Sequence, residues 1–339
     1  MNKYITTMIF GVIFLASTAI AAERARDLGV PFEGTPGKNN AITDIAGVEV
    51  GQVALISGEG KLEVGKGPVR TGVTVVIPRG KESAKPVYGG FYDLNGNGEL
   101  TGRSYLEDFG VVYGPIGLSN TNAIGHVYAG IQEWTSAKFG AAIWPVSAET
   151  YDGDLNDIEG FHVKPEHAKQ AIDAAKAGVV EEGNVGGGTG MRCFGFKGGI
   201  GTSSRVVEID KKPYTVGVLV QCNTGYREVL RIAGAPVGAE LSKKWLECYG
   251  PKIKGSKDQT PKCEADSTGD KPAPDAGSII IVAGTDAPLY PTQLNRIAKR
   301  ASMGLARLGS FSGNDSGDLI LSFSTTAVPN DVTDEEIAE

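Results

Sequence analysis

The chain reads as one α/β domain built of stacked layers, on three observations. Short runs of β-branched residues alternate with longer stretches of helical period. No clear interdomain linker divides them over the 339 residues. The runs are spread along the whole chain, so strands distant in sequence must pair around a shared core. Hydrophobic residues make up 41% of the chain, enough for such a core, and 48 glycines allow many tight turns.

Taken in order, the first segment stands apart from the fold. Lys3 forms a short positive region, Met8 to Ile20 is apolar, and Ala19-Ile20-Ala21 has the small-x-small pattern of a cleavage site. Residues 1–21 are therefore expected to be a signal peptide, with the apolar run too short for a membrane span. "GVEVGQVALI" (47–56) and "GVTVVIP" (72–78) read as strands. "NAIGHVYAGIQEWTSAKF" has Ile124, Val127, Ile131 and Trp134 at the spacing of a helix face. "KPEHAKQAIDAAKAG" predicts a second helix, with Pro165 in its first turn and Gly178 as its stop.

"SRVVEI" (204–209) and "YTVGVLVQC" (214–222) are the next strands. In "KPAPDAGSIIIVAG" a Pro-, Asp- and Gly-rich segment stops at Gly277, and Ser278 opens a β-branched run. The helix "PTQLNRIAKRASMGLARLG" follows, with Leu294, Ile297, Ala301, Leu305 and Leu308 on one stripe and Gly309 at its end. "LILSFST" (319–325) returns as a strand, and the acidic tail "NDVTDEEIAE" is expected to fray.

Charge and cysteines narrow the function. The net charge of −7 argues against nucleic-acid binding, and no Lys/Arg cluster suggests a stable membrane contact. The leader places the product in a periplasm or outside the cell, where disulfides persist. Cys248 and Cys263 flank a polar insert and form the expected pair, a closure of about 3 kcal/mol in the chain-entropy model. Cys193 and Cys222, in apolar or Gly-rich strands, are expected to be buried thiols. No C-x-x-C spacing points to zinc, and nothing calls for a metal or another cofactor.

Elimination then bears on the chemistry. His126, His162 and His167 are the only histidines; they lack H-E-x-x-H spacing, and no G-x-S-x-G elbow accompanies them. They are expected to be structural or surface residues. The Gly-rich stretch 183–205 lacks the Lys-Ser/Thr end of a P-loop and reads better as a hairpin with close backbone approach. What remains is serine without histidine. A serine that begins a chain can use its own α-amine, of reference pKa about 7.7 to 8.0, as general base. Gly277 before Ser278 suits such a cut, since glycine has no Cβ to obstruct attack on its carbonyl. On the residues alone, the junction reads first as an ordinary loop feeding a strand.

A collinear set of segments adds to this. "NAITDIAGVEVGQ" (40–52), "RTGVTVVIP" (70–78), "NGNGELTG" (95–102), "GPIGLSNTNAIG" (114–125), "PVSAETYDGDLNDIEGFHV" (145–163), "VLVQCNTGYR" (218–227), "AGSIIIVAGTDAPL" and "SGNDSGDLILSFST" succeed one another. Together they resemble the self-processing serine aminopeptidases, which include L-aminopeptidase/D-esterase and the β-peptidyl aminopeptidases. The resemblance implies a four-layer αββα sandwich of the N-terminal-nucleophile type, cut autocatalytically at Gly277–Ser278 into chains 22–277 and 278–339.

By the same resemblance, Ser278 is the nucleophile and the Ser316/Asp318 pair orients its amine and hydroxyl. Asn223, with a backbone N–H near Ile279, is the oxyanion donor. Glu149 and Tyr151, two apart and so on one side of an extended backbone, line the substrate pocket, with Asn122 and Trp144 as weaker candidates. The implied substrates are short peptides, amides or esters with a free N-terminal β-, L- or D-amino acid. The implied assembly is a homo-oligomer of processed heterodimers. Two alternatives are an acyltransferase like the ornithine acetyltransferases, which use Thr, and a non-catalytic secreted binding protein of the same fold.

Overall fold

The computed structural model describes residues 23–244, 248–249, 262–263 and 277–326. The expected signal peptide, most of the 243–276 insert and the acidic tail lie outside these residues. Residues before Glu33 make a small unit of their own, a turn closed by Asp27 N–H donating to the Arg24 carbonyl.

From Glu33 onward the elements alternate as the patterning predicts. The first half holds β1 (Glu49–Ser57), β2 (Val69–Ile77), β3 (Val87–Asp93), α1 (Arg103–Asp108), β4 (Val111–Val112), β5 (Ile116–Asn120), α2 (Ile124–Phe139), β6 (Val146–Thr150) and α3 (Pro165–Asp173). Two short strands follow, β7 (Arg192–Cys193) and β8 (Phe196–Lys197), then the long β9 (Ile200–Ile209) and β10 (Lys212–Asn223). After α4 (Val237–Lys244), β11 (Cys248–Tyr249) and β12 (Lys262–Cys263) come β13 (Gly277–Thr285), α5 (Pro291–Arg307) and β14 (Ser316–Ser324).

Two sheets carry the fold, in the orders β1-β2-β5-β6 and β4-β3-β14-β13-β10-β9. Each contains one parallel pair joined by a helix: β5–α2–β6 in the first and β13–α5–β14 in the second. A parallel pair needs a crossover, and the helix that supplies it covers one face of its sheet. Strand alternation shows which face. In β2, Val73, Val75 and Ile77 pack with Val127 and Ile131 of α2 and with Ala168, Ala171 and Ile172 of α3. In β13, Ile279 and Ile281 pack with Ala298 and Leu305 of α5. The opposite faces meet: Val76 and Leu118 share a core with Leu219, Ile280, Val282, Leu319, Leu321 and Phe323. The layers therefore run helix, sheet, sheet, helix, the αββα sandwich expected.

Helix ends follow local chemistry. Pro165 and Pro291 open α3 and α5, where the missing N–H costs nothing. His167 Nδ1 accepts the Lys164 N–H and Gln293 Oε1 accepts the Tyr290 N–H. α3 stops at Asp173 rather than running to Gly178, because Lys176 exchanges backbone hydrogen bonds with Val50 and is drawn to the edge of β1. On α5 the inward positions are Leu294, Ala298 and Leu305, while Leu308 is exposed.

The Gly-rich stretch is a close approach, as expected. Gly186 to Gly188 form a buried turn between the sheets, where a Cβ on Gly187 would stand 2.2 Å from Gln221 Oε1 and 2.6 Å from the Leu118 carbonyl oxygen. The cysteine expectation is corrected: Cys193 and Cys222 are joined in a disulfide, with Cα atoms 5.7 Å apart. The turn between β7 and β8 brings Cys193 against the end of β10, a proximity that sequence spacing does not reveal. Cys248 and Cys263 stand directly opposite each other in the β11–β12 pairing.

Candidate active site

One edge of the sandwich collects Ser278, Asn223, Ser316 and Asp318, because four strand ends meet there. β13 begins at Gly277 in the middle of its sheet, between β10 and β14. Register sets Asn223, the last residue of β10, opposite Ser278, and Ser316 opposite Gly277. From the other sheet, β6 ends at Thr150, under the same point. Gln221 fastens the sheets together here: fully buried, its Nε2 donates to the Ser119 carbonyl and to Thr150 Oγ1, both at 2.8 Å. Nothing but its polarity in an apolar strand marked Gln221 in the sequence.

Ser278 is 4% exposed and shares its strand face with Ile280 and Val282, toward the other sheet. Its Oγ accepts the Tyr151 N–H at 3.0 Å, and Asn223 Nδ2 lies 3.5 Å away. Asn223 Oδ1 accepts the Arg192 N–H at 3.0 Å, which turns the amide so that Nδ2 faces Ser278. The backbone donor to the Ser278 Oγ is thus the Tyr151 N–H. Each histidine is engaged elsewhere: His126 Nδ1 with the Val163 carbonyl, His162 with Asp157, and His167 with Lys164.

Ser316 donates to Asp318 Oδ1 at 2.6 Å, and both are buried. They lie on the α5 face of β14, with Ile320, so they flank the backbone of the Gly277–Ser278 junction rather than the Oγ. Asn95, in the "NGNG" segment, holds this strand start by accepting the Asp318 N–H at 2.7 Å. Burial pushes the Asp318 carboxyl above the ordinary carboxylate range, and its Oδ2 has no hydrogen-bond partner. At Gly277 a Cβ would stand 2.8 Å from Thr224 Oγ1 and 3.0 Å from the Asn223 carbonyl oxygen, so glycine also fits sterically.

Glu149 is buried in β6, where it accepts the Glu99 N–H at 3.2 Å and the Thr121 hydroxyl. Desolvation holds its carboxyl above the usual value. It is close to the β14 start: a Cβ on Gly98 would touch both Glu149 Oε1 and Gly317 Cα, at 3.4 and 3.2 Å. Tyr151 stands one residue past the end of β6, and its ring is half exposed. Asn122 bonds instead to the Ile158 carbonyl and Glu159, both at 3.3 Å. Trp144 precedes β6 at the other end from Tyr151 and stacks on Tyr105, with ring centroids 5.1 Å apart.

A serine heading a central strand, with amide groups facing its oxygen and every imidazole occupied elsewhere, defines a serine hydrolase of the N-terminal-nucleophile fold. Comparison with known proteins agrees. The chain belongs to peptidase family S58, whose model matches residues 40–339. It is 57% identical over 320 residues to "Beta-peptidyl aminopeptidase BapA" of Sphingosinicella microcystinivorans, covering 94% of this chain and 78% of that one. The PH0078 protein from Pyrococcus horikoshii OT3 superposes with a TM-score of 0.80 at 42% identity, over 92% of this chain and 82% of its own. The L-aminopeptidase D-Ala-esterase/amidase from Ochrobactrum anthropi, described as a prototype of the serine aminopeptidases with a variant Ntn hydrolase fold, gives 0.77 at 43% identity, over 89% and 78%. The chain is a serine aminopeptidase, and the transferase and binding-protein alternatives are not favoured.

Proposed function

We propose that this protein cuts itself between Gly277 and Ser278 and then removes N-terminal β-amino acids from short peptides, amides or esters. The observation that carries the reading is Ser278 Oγ held between the Tyr151 N–H and Asn223 Nδ2 at the start of β13. In the unbroken chain Oγ attacks the Gly277 carbonyl carbon. The peptide bond from the Gly277 carbonyl carbon to the Ser278 nitrogen breaks, that nitrogen takes the Oγ proton and becomes an amine, and an ester joins Gly277 to Oγ. Water hydrolyses that ester and frees both ends. β13 stays in place because hydrogen bonds to β10 and β14 hold it on both edges.

In the mature form Oγ attacks the carbonyl of the substrate's first residue and passes its proton to the Ser278 α-amine, which hands it to the leaving amine. Ser316 and Asp318 orient that amine, and Asn223 with the Tyr151 N–H stabilises the oxyanion. Glu149 pairs with the substrate's ammonium, which restricts the enzyme to free N-termini. The β-peptidyl relative at 57% identity supports β-amino over α-amino substrates. The leader sequence and the Cys193–Cys222 bridge support export to the periplasm or beyond.

Denaturing electrophoresis and intact mass of the protein beside Ser278→Ala test the cut: two fragments are expected from the parent and one chain from the variant. A parent that stays whole overturns it. Release of p-nitroaniline from β-, L- and D-aminoacyl p-nitroanilides then tests the substrate class. Release from L- or D-substrates alone overturns the β preference.

A further inference from the structure

Asn223 presents a donor to Ser278 in only one of its two amide orientations. Reversed, the side chain would aim an oxygen lone pair at a developing oxyanion. What selects the productive orientation is the Arg192 N–H on Oδ1. Arg192 belongs to β7, two residues long and paired only with the equally short β8, too little to be rigid by itself. The next residue, Cys193, is bonded to Cys222, and Cys222 immediately precedes Asn223. The bridge therefore joins the two backbones one residue from the donor and one residue from its acceptor. Arg192 also reaches the second strand end at the site, since its Nη1 pairs at 2.8 Å with Asp154, three residues after Tyr151.

We propose that the Cys193–Cys222 disulfide is a positioning element of the active site, holding Arg192 against Asn223 Oδ1 so that Nδ2 stays aimed at Ser278. The proposal rests on the catalytic reading above. Without the bridge, hairpin and strand keep a second tie, the Phe194 N–H on the Thr224 carbonyl at 2.8 Å, so the hairpin loosens without leaving. The amide then divides its time between orientations, and kcat falls in proportion to the fraction correctly turned, about two- to tenfold. KM changes little, because the oxyanion forms only in the transition state.

The test is a double-mutant cycle between Cys193→Ala/Cys222→Ala and Asn223→Ala, with kcat and KM normalised to the cleaved fraction on a denaturing gel. The expected result is a lower kcat without the bridge in the parent background and no further fall once Asn223 is alanine. Equal fold-losses in both backgrounds, no change in kcat, or a loss confined to KM overturns the proposal. If the alanine pair does not fold, a dithiol is applied to folded Cys248→Ala/Cys263→Ala protein, which retains only Cys193 and Cys222, with free thiols counted. Activity is expected to fall as two thiols appear and to return on reoxidation; activity unmoved by two titrated thiols overturns it. A parent chain that never cleaves sinks the catalytic reading, whereas a parent that cleaves and a cycle with additive losses sink this one.

Discussion

Replacing Asp152 by Asn should remove a pH-dependent weakness built in beside the nucleophile. Asp152 follows Tyr151, is 1% exposed, and accepts the Asn156 amide at 3.0 Å on Oδ1. Burial is the largest influence on it and raises its pKa from 3.8 to about 6, while the nearby Thr71, Asn156 and Asn120 side chains pull the other way. Because the folded value is raised, the folded form keeps a proton between roughly pH 4 and 6 that the unfolded chain releases. Stability therefore falls as pH rises through that window and stays lower above it. About two pKa units at about 1.4 kcal/mol each make the loss about 3 kcal/mol.

Asparagine cannot titrate, and it keeps the size and the Oδ1 acceptor of the protonated aspartic acid. The assay is urea unfolding from about pH 4 to about pH 8, in the uncut Ser278→Ala background so that one chain unfolds. Glu149 and Asp318 also have raised pKa values, but both are present in each protein, so the difference between the curves isolates Asp152. The two stability curves should converge near pH 4 and separate by up to about 3 kcal/mol above pH 6, the variant being the more stable. Parallel curves would refute the reasoning.

Two further perturbations probe the site and its frame. Glu149→Gln should raise KM for substrates with a free ammonium by about ten- to a hundredfold, the worth of a charged hydrogen bond, with a smaller change in kcat. It should also abolish the rise of KM on the acid side, which in the parent begins above the usual carboxylate range because burial raises the Glu149 pKa; steady-state kinetics across pH measure both. Gly187→Ala forces a Cβ to within 2.2 Å of Gln221 Oε1 and should cost about 1–3 kcal/mol or more as the inter-sheet core shifts, read as a lower Tm and slower self-cleavage.

Much of the fold was legible in the chain because hydrophobic period is a local property. β13 and β14 lie where their β-branched runs are, and α5 starts at Pro291. The stop of α3 was not legible, since Asp173 ends the helix only because Lys176 pairs with Val50, more than a hundred residues away. The disulfide partner of Cys193 was hidden for the same reason: Cys222 reaches it through the packing of β7 against the end of β10. The end of β6 at Thr150, one residue before Tyr151, was likewise not marked by any local pattern.

The sequence by itself determined which residues are available for chemistry: a serine after a glycine at a strand start, few histidines, and a set of polar residues at strand ends. A nucleophile and its neighbours are matters of residue type and local propensity, and these are written in order along the chain. Tertiary structure alone decided what faces Ser278. It brought the Tyr151 N–H and Asn223 Nδ2 to the Oγ, set Ser316 and Asp318 on the opposite face of the strand, and assigned the amide orientation to Arg192. Those relations depend on sheet register and on how two sheets stack. Both are settled by the burial of side chains far apart in sequence, which no local pattern records.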